Sequence, residues 1–393
     1  STRETTLFPY TTLFRSRPVF GMVAGEPSGD LLAGLLLDGL KARWPDLQAV
    51  GIGGPHMLQR GFQAWWAQSL LAVRGYAEVL PHLFKLLSIR RALGARLIAH
   101  PPDVFIGIDA PDFNFGLEAR LKTAGIPTVH FVSPSFWAWR AGKLAKLKAS
   151  ADHVLCIFPF EPPLLAQHGI AATYVGHPLA SVIPLEPDRL AARAALGLPP
   201  DGPMVALLPG SRESEIRYLA TRFLAAAAVI LQQRPATRFV LPAMPALRSA
   251  VEQAAQTSGL GNRLLIVTGQ SQRVLAACDV TLIASGTATL EAALFKRPMV
   301  IAYNMNWLSW QLMRHRNLQP WVGLPNILCR EFVVPELLQD AATPQALAAA
   351  VLDWMDSPEK TLALQQRFAA LHQELRRDTA RLATDAIAKI LAR

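Results

Sequence analysis

Short apolar runs alternate with stretches of helical period along almost the whole chain. In the first half, the run 17–24 is followed by a stretch in which Leu32 and Leu36 recur at helical spacing. The run Val104–Ile108 contains no polar residue and ends at Asp109, which is the pattern of a strand buried on both faces. Strands that alternate with helices predict a parallel sheet covered by helices on both faces.

The same pattern continues to residue 302 and then becomes helical. The predicted strands are 17–24, 49–52, 104–108, 128–132, 154–158, 173–175, 204–208, 238–241, 264–267, 280–283 and 299–302. The predicted helices are 31–43, 117–123, 215–232, 245–257, 271–277, 289–295, 344–355 and 358–393.

A proline-rich stretch divides this pattern into two halves. Residues 178–188 contain three prolines and little helical period, which is typical of a linker between domains. The sequence therefore predicts two doubly wound, Rossmann-like α/β domains that face a cleft. We expect them over 17–180 and 181–357, with the C-terminal helix 358–393 crossing back to the first domain. Residues 1–16 match neither a signal peptide nor the pattern that follows, and we expect them to be a non-native leader.

Composition excludes several classes of protein. The chain of 393 residues is 51% apolar and carries a formal net charge of +10. It has no apolar run of the roughly 18–20 residues that cross a bilayer. It also has no zinc-finger spacing, RNP-like aromatic box or lysine tail, so we expect no nucleic-acid partner. The 3 cysteines are far apart in the sequence, which predicts no disulfide framework and no metal site. The positive charge favours phosphorylated substrates or an anionic membrane surface.

Two loops in the second half have the residues that bind a nucleotide diphosphate. Each follows a predicted strand and leads into a predicted helix: 208–212 has the sequence LPGSR, and 283–291 has the sequence IASGTATLE. Small residues at the end of a strand let the backbone approach a phosphate, and the helix N-terminus then offers free N–H groups. The sequence therefore predicts a sugar-nucleotide site in this half.

Each residue of these loops has a predicted role. Arg212 is expected to bind the diphosphate through its planar guanidinium, unless it forms a surface ion pair with a neighbouring glutamate. Glu291 is expected to accept the ribose hydroxyls, unless it only stabilises the first turn of its helix. Backbone N–H groups of Ser285, Gly286 and Thr287 are expected to bind phosphate, the alternative being an ordinary turn between strand and helix.

Six short motifs follow one another between residues 23 and 326. They are VAGEPSGD at 23–30, GIDAPDFN at 107–114, VSPSFWAWR at 132–140, LLPGSR at 207–212, SGTATLE at 285–291 and LPN at 324–326. Together they resemble the lipid-A-disaccharide synthase family, and the resemblance runs from about residue 18 to the C-terminus. It implies the GT-B fold and an inverting glycosyltransferase that needs no metal ion or other cofactor. It also implies a cytoplasmic protein that is peripheral on the inner membrane.

The resemblance further implies the substrates and some of their contacts. UDP-2,3-diacylglucosamine would donate its sugar to 2,3-diacylglucosamine 1-phosphate, and UDP would be released. Asp109 would be the catalytic base that takes the proton of the acceptor hydroxyl, although an aspartate before Ala-Pro is also a common turn residue. Substrate contacts are also expected from Asn326 and from the first loop, at Glu26, Ser28, Gly29 and Asp30.

These assignments have structural alternatives. Ser28 or Asp30 would serve as the N-cap of the first helix, and Asn326 would stabilise a turn after Pro325. Asp112 is expected to cap a helix that begins near residue 113. His130 and His177 have apolar surroundings, and we interpret them as structural.

The segment 73–97 combines apolar and basic residues, among them Lys85, Arg90, Arg91 and Arg96. A helix with one apolar and one basic side is typical of an element at a membrane interface. The alternative is an ordinary helix that covers the sheet. The residues predicted to contact the membrane are Val79, Leu80, Leu83, Phe84, Leu86 and Leu87.

Two other functions remain compatible with the sequence. One is another GT-B transferase, or an epimerase, that uses UDP-N-acetylglucosamine. The other is a non-enzymatic module that binds a nucleotide or a membrane. A homo-oligomer is possible, and the sequence does not predict the acyl-chain length of the substrates.

Overall fold

The described residues form two α/β units, each built on a parallel sheet. The structure is a computed structural model that describes residues 17–71, 79–134, 142–304 and 320–392. The first unit comprises the described residues up to 178 together with 377–392, and the second comprises those from 179 to 376. The predicted leader, residues 1–16, lies outside the described residues.

The sheet of the first unit has the strand order β3-β2-β1-β4-β5-β6-β7, and neighbouring strands run parallel. Its strands are β1 Val19–Ala24, β2 Gln48–Gly53, β3 Gln63–Ala67, β4 Val104–Ile108, β5 Thr128–Phe131, β6 His153–Cys156 and β7 Ala172–Tyr174. Every residue of β4 is buried, as expected for a strand covered by helices on both faces.

The sheet of the second unit has the strand order β10-β9-β8-β11-β12-β13 and is also parallel. Its strands are β8 Met204–Leu208, β9 Arg238–Ala243, β10 Leu264–Thr268, β11 Val280–Ala284, β12 Met299–Tyr303 and β13 Glu336–Leu338. Both central strands, β8 and β11, are buried throughout. The prediction of two doubly wound parallel sheets is confirmed.

Helices connect these strands. In the first unit they are α1 Pro27–Arg43, α2 Pro55–Leu58, α3 Val79–Ala99, α4 Pro111–Thr123, α5 Gly142–Ser150 and α6 Glu161–Ala166. They are followed by α7 Pro178–Val182, α8 Arg189–Ala195, α9 Glu213–Gln233, α10 Arg248–Gln256, α11 Ser271–Ala277, α12 Thr287–Leu294, α13 Leu324–Cys329, α14 Pro344–Asp356, α15 Pro358–Leu375 and α16 Thr379–Leu391. α1 and α4 each begin with a proline, which has no N–H to lose at a first helical position.

The C-terminal region is two helices rather than the single predicted helix. α15 contacts α12 and α14 in the second unit, whereas α16 contacts α1 in the first. The break falls at residues 376–378, where Asp378 caps α16 by accepting a hydrogen bond from the N–H of Arg381 at 3.1 Å. Of the region expected to return to the first domain, only α16 belongs to the first unit.

Both sheets reverse their strand order beside their first strand. In the first unit the reversal lies between β1 and β4, and in the second between β8 and β11. Open parallel sheets bind ligands at the carboxyl ends of the strands on either side of such a reversal. The predicted site residues Glu26 and Asp109 follow β1 and β4, and Arg212 and Ser285 follow β8 and β11.

Candidate functional sites at the two strand reversals

Asp109 lies at a backbone corner between β4 and α4. It has φ +50°, and the next residue, Ala110, has φ +44°, so two successive residues with side chains adopt the left-handed conformation. The N–H of Asp109 donates to the carbonyl of Phe131 at 2.9 Å. The side-chain amide of Asn114 donates to the carbonyl of Asp109 at 2.8 Å. Such conformations cost roughly 1–3 kcal/mol each and cluster at functional sites.

A pocket of about 310 Å³ opens beside this corner. Its charged lining residues are Glu26, Asp109, Asp112 and Arg90. Its large apolar lining residues are Leu71, Leu86, Leu87 and Phe113. A pocket with both kinds of side chain suits a ligand that has both hydroxyl groups and hydrocarbon chains.

The first loop is shorter than predicted because α1 begins at Pro27, four residues before the predicted start. Glu26 is therefore the N-cap position, and its side chain makes no capping hydrogen bond. Ser28 lies exposed in the first turn of α1, whereas Gly29 is buried against the end of β4. Of this loop, Gly25 and Glu26 line the pocket.

Asp30 has a different environment from the one that the sequence predicts. It is only 1% exposed, and its carboxylate accepts hydrogen bonds from the N–H groups of Gly54, His56 and Met57 at 2.9, 2.9 and 3.2 Å. These groups belong to the N-terminus of α2, so Asp30 caps α2 rather than α1. The carboxylate is thus bonded within the protein, and the predicted substrate contact of Asp30 stays a prediction. Asp112 also does not cap α4, because α4 begins at Pro111 with Ala110 as the N-cap position.

The loop after β8 is organised by a carboxylate of the following helix. Glu215 accepts hydrogen bonds from the N–H groups of Ser211 and Arg212 at 2.8 and 3.2 Å, and its second oxygen pairs with the Arg212 guanidinium at 3.1 Å. The Arg212 side chain is 80% exposed. The predicted alternative, an ion pair with a neighbouring glutamate, is thus present in the structure. The same donors form an arrangement that suits a phosphate.

The loop after β11 leaves its small residues accessible. Gly286 and Thr287 are exposed, and Ser285 is half-buried with its hydroxyl donating to the carbonyl of Val322 at 3.1 Å. Glu291 is half-buried one turn into α12, and burial raises the pKa of its carboxyl above the ordinary value while a hydrogen bond from Gln272 opposes this shift. Gln272 lies on α11, so it brings a second polar group to the predicted ribose position.

Asn326 is buried and uses its whole side chain within the protein. Its amide nitrogen donates to the carbonyl of Val334 and to Glu336, and its oxygen accepts from the N–H groups of Val333 and Val334, all between 2.8 and 3.0 Å. Glu336 also accepts from the N–H groups of Val322 and Gly323. The structure therefore gives Asn326 a role in holding the segment beside Ser285. It lies within α13 rather than in the turn of the structural alternative, and its predicted substrate contact stays a prediction.

Comparisons with known proteins show which family the chain belongs to. The family model described as lipid-A-disaccharide synthetase matches residues 20–389. The chain is 66% identical to a lipid-A-disaccharide synthase of Albidiferax ferrireducens over 375 residues, covering 94% of this chain and 96% of that one. It is 53% identical to that of Paraburkholderia xenovorans over 372 residues, covering 94% and 95%.

The chain belongs to the lipid-A-disaccharide synthase family. Solved structures show the same fold at low sequence identity. A glycosyltransferase of kitacinnamycin gives a TM-score of 0.63 at 18% identity, covering 95% of this chain and 98% of that one. Anabaena HepE, solved with UDP and glucose, gives 0.57 at 16% identity, covering 96% and 99%. The prediction of a GT-B glycosyltransferase is confirmed, and the high-identity relatives support this family rather than the UDP-N-acetylglucosamine alternative.

As in a sheet-covering helix, the C-terminal part of α3 faces the core of this family member. Ile89, Leu93 and Leu97 are buried at a spacing of four residues. Phe84 is 70% exposed, and Leu86 and Leu87 are half-buried. The side chains of Val79, Leu80 and Leu83 lie outside the described part of the chain. Within that part, no helix has the length and apolar character to span a membrane.

The basic residues of α3 differ in how freely they can meet a membrane. The Arg96 guanidinium stacks over the ring of Trp65 at 3.9 Å, and Arg90 approaches the carbonyl of Asp112 at 3.4 Å beside the pocket. Lys85 and Arg91 are exposed. Arg96 is exposed as well and Arg90 is half-buried, so all four basic residues are accessible to solvent, and two of them also contact neighbouring residues.

Several residues of the sites were not predicted as such. Gln272 bonds to Glu291 and Glu336 bonds to Asn326, and both of these partners lie in motifs. The residues around Gln272 and Glu336 in the sequence give no indication of these contacts. Glu215 completes a capping box with Arg212, but the sequence carries no signal for it because the usual N-cap residue of a capping box is serine or threonine. Asn114 ends the motif at 107–114, but nothing in the sequence indicates which backbone groups it binds.

Proposed function

We propose that this protein transfers 2,3-diacylglucosamine from UDP-2,3-diacylglucosamine to the 6-hydroxyl of 2,3-diacylglucosamine 1-phosphate. The product is a β-1,6-linked disaccharide, and UDP leaves. Membership of the lipid-A-disaccharide synthase family supports the reaction. The observation that carries the proposal in the structure is the pocket that Asp109 lines together with Leu71, Leu86, Leu87 and Phe113.

Asp109 is the proposed base. An inverting transfer requires the acceptor hydroxyl to lose its proton as its oxygen attacks the anomeric carbon. Asp109 follows a strand at the reversal of its sheet, and the rigid corner around it limits the positions that its carboxyl can take. Glu26 lines the same pocket, and we propose that it contacts the acceptor sugar, with Ser28 and Gly29 at the start of α1 beside it.

The second unit is the proposed binding site of UDP. Arg212 and the N–H groups of Ser285, Gly286 and Thr287 would bind the diphosphate and stabilise the charge that develops on the leaving group. Because Glu215 occupies the donors of Ser211 and Arg212, we propose that this carboxylate moves aside when the diphosphate binds. Glu291 would bind the ribose, with Gln272 orienting its carboxyl.

The acylated substrates place the proposed reaction at a membrane surface. We propose that Phe84, Leu86 and Leu87, together with Val79, Leu80 and Leu83 of the same helix, contact the cytoplasmic leaflet of the inner membrane. The exposed ring of Phe84 beside the exposed Lys85 supports this. Each cation near an anionic surface contributes roughly 1 kcal/mol.

The test is disaccharide formation from the two acylated sugars in detergent, with UDP-N-acetylglucosamine offered as a competing donor. We expect product from the acylated donor. Asp109→Asn should lower kcat by about 10² to 10⁴ because the base is lost. The control is Asp46→Asn, which replaces an exposed aspartate between α1 and β2.

Three outcomes would contradict parts of the proposal. If the folded protein binds UDP but forms no disaccharide, the proposed reaction is wrong. Transfer or epimerisation of UDP-N-acetylglucosamine alone would favour the alternative substrate. Asp109→Asn protein with the turnover and pH profile of the unmodified protein would remove the base assignment but leave the reaction.

A further inference from the structure

Three polar side chains lie completely buried beneath the corner that carries Asp109. Asn114 and Glu118 are one turn apart on α4, and His130 is on the neighbouring strand β5, directly beside Gly107 in the strand register. The side chains of Glu118 and His130 are joined by a hydrogen bond of 2.7 Å between Oε1 and Nδ1. On the same helix, Leu117 and Leu121 belong to an apolar core cluster.

Of these three residues, which we call the buried polar cluster, Asn114 contacts the backbone corner at Asp109. Its amide nitrogen donates to the carbonyl of Asp109 at 2.8 Å and lies 3.4 Å from that of Ile108. Asp109 and Ala110 both have left-handed backbone conformations, which cost free energy and persist only where surrounding contacts enforce them. Asn114 supplies such a contact from the side of α4, opposite the hydrogen bond from Asp109 to Phe131.

The backbone of β4 makes room for this cluster at Gly107. A Cβ atom at this position would lie 2.1 Å from Oε1 of Glu118 and 3.0 Å from Cβ of Asn114. Any side chain there would push Glu118 and Asn114 away from the strand. The glycine therefore lets both polar side chains lie directly against the strand that ends at Asp109.

The burial of Asn114, Glu118 and His130 costs more free energy than a purely structural role would explain. Asn114 Oδ1, Glu118 Oε2 and His130 Nε2 have no hydrogen-bond partner among the described residues. A buried polar atom without a partner costs about 1–3 kcal/mol, and apolar residues of similar volume often replace buried ion pairs without loss of stability. A contribution to stability alone therefore does not account for three such residues under one backbone corner.

We propose that Asn114, supported by the Glu118–His130 pair, is a positioning residue that holds Asp109 for proton abstraction. The proposal rests on the proposed role of Asp109 as the base. Asn114 binds the backbone of Asp109, and the Glu118–His130 pair limits the movement of α4 against β5. A displacement of about 1 Å at a reacting group can lower a rate by 10²-fold.

The experiment measures kcat and KM of disaccharide formation for Asn114→Ala, Asp109→Asn and the double variant. We expect Asn114→Ala to lower kcat at least tenfold while both KM values change less than threefold. In the Asp109→Asn background, Asn114→Ala should cause no further loss, because a residue that acts through Asp109 has nothing left to position. Glu118→Gln should lower kcat in the same direction, and this effect should also vanish without Asp109.

Ser150→Ala is the matched control, since Ser150 is a buried polar residue of the same unit that donates to the carbonyl of Leu147. It should alter thermal stability without altering kcat of the folded protein. If Asn114→Ala does not fold, Asn114→Asp keeps the side-chain volume while replacing the donor by an oxygen. The same loss of kcat and the same non-additivity with Asp109→Asn are expected from it.

The results separate this proposal from the proposed function. Wild-type kcat in folded Asn114→Ala protein, with Asp109→Asn inactive, would overturn the positioning role alone. Equal further losses from Asn114→Ala with and without Asp109 would also overturn it. Wild-type turnover in Asp109→Asn would instead overturn the base assignment, on which this inference rests.

Discussion

For Arg212 we expect a substitution to affect UDP binding and protein stability very differently. Its side chain is 80% exposed and pairs with Glu215, and exposed pairs contribute about 0–1 kcal/mol. We expect Arg212→Ala to change the free energy of unfolding by less than about 1 kcal/mol. The same change should weaken UDP binding about tenfold or more, because a charge-assisted hydrogen bond is lost. Isothermal titration with UDP and denaturant unfolding measure the two effects.

The control for Arg212 is Arg248→Ala. Arg248 pairs with Glu252 on α10 and is similarly charged, but it follows β9 rather than β8. It should leave UDP affinity within twofold. Equal losses in both variants would point to a general effect of net charge instead of a contact with the diphosphate.

We predict that the protein becomes less stable in acid because of His177. It is 6% exposed, and burial lowers its pKa from the ordinary 6.5 to about 4. Between these two pH values the unfolded chain binds a proton that the native protein does not. The free energy of unfolding is therefore unaffected by the titration of His177 above pH 6.5 and decreases as the pH drops toward 4. The loss from this residue approaches roughly 3 kcal/mol near pH 4. Unfolding free energies at pH 7.5 and 4.5 should show a smaller decrease in His177→Gln than in the unmodified protein.

Equal decreases in the two proteins would show that other groups cause the acid sensitivity. Because His177 also packs against the ring of Phe158, with ring centroids 5.5 Å apart, its replacement is expected to lower stability at pH 7.5 as well. The informative quantity is therefore the difference between the two pH values in each protein.

Single residues also mark the limit of what the sequence predicts. The motifs containing Asp30 and Asn326 predict substrate contacts for both residues, and the structure shows both side chains bonded to backbone groups of the protein. The sequence does not show that all three backbone N–H groups near Asp30 would come from α2, some 25 residues later, or that Asn326 would be saturated by 333–336. Short polar residues serve substrates and backbone equally well, so only tertiary contacts distinguish the two roles.

At the scale of elements, we predict that α3 contributes to membrane binding through Phe84. Phe84 is 70% exposed, and burying a phenylalanine side chain contributes about 1.5–3 kcal/mol. Phe84→Asp should therefore weaken binding to vesicles of phosphatidylglycerol and phosphatidylethanolamine about tenfold or more in a sedimentation assay. Activity on substrates in detergent micelles should decrease less.

Phe332→Asp is the matched control for Phe84→Asp. Phe332 is 59% exposed and lies in the second unit, far along the chain from α3. It should leave vesicle binding nearly unchanged. If both substitutions weaken binding equally, the effect comes from added negative charge, and the assignment of the membrane surface to α3 is wrong.

The buried central strands were predicted well. Of the four edge strands that the structure describes, β7 and β10 were predicted and two were not. The central strands β4, β8 and β11 are continuous apolar runs because both faces are covered. The edge strands β3 and β13 were missed: β3 is largely exposed or half-buried, and β13 has only 3 residues. Edge strands bury less surface, so their sequences carry a weaker hydrophobic signal.

At the scale of the molecule, the first unit is completed by a helix from the other end of the chain. α1 and α16 pack closely at Gly39, where a Cβ atom would lie 2.5 Å from the carbonyl oxygen of Ala380 and 2.7 Å from Oγ1 of Thr384. Gly39→Ala should therefore destabilise the protein by roughly 1–3 kcal/mol, although alanine is normally the better helix former. Thermal unfolding measures the change.

Gly34→Ala on the same helix is the control for Gly39→Ala. Its added Cβ would meet the end of the flexible Arg60 side chain and Cβ of His56, both at 3.2 Å. It should be close to neutral. A similar loss from both substitutions would show that α1 tolerates no added carbon, and the specific contact with α16 would not be supported.

The position of α16 determines which of the two units can be completed first while the chain is being synthesised. The first unit needs residues 379–391 beside α1, and more than 330 residues separate the end of α1 from the start of α16. Domains generally fold as units during synthesis, at about 5–20 residues per second. The second unit, which is contiguous in the chain, can thus fold completely while the first unit still lacks its last helix. The unit that is synthesised first is therefore the last to complete its fold.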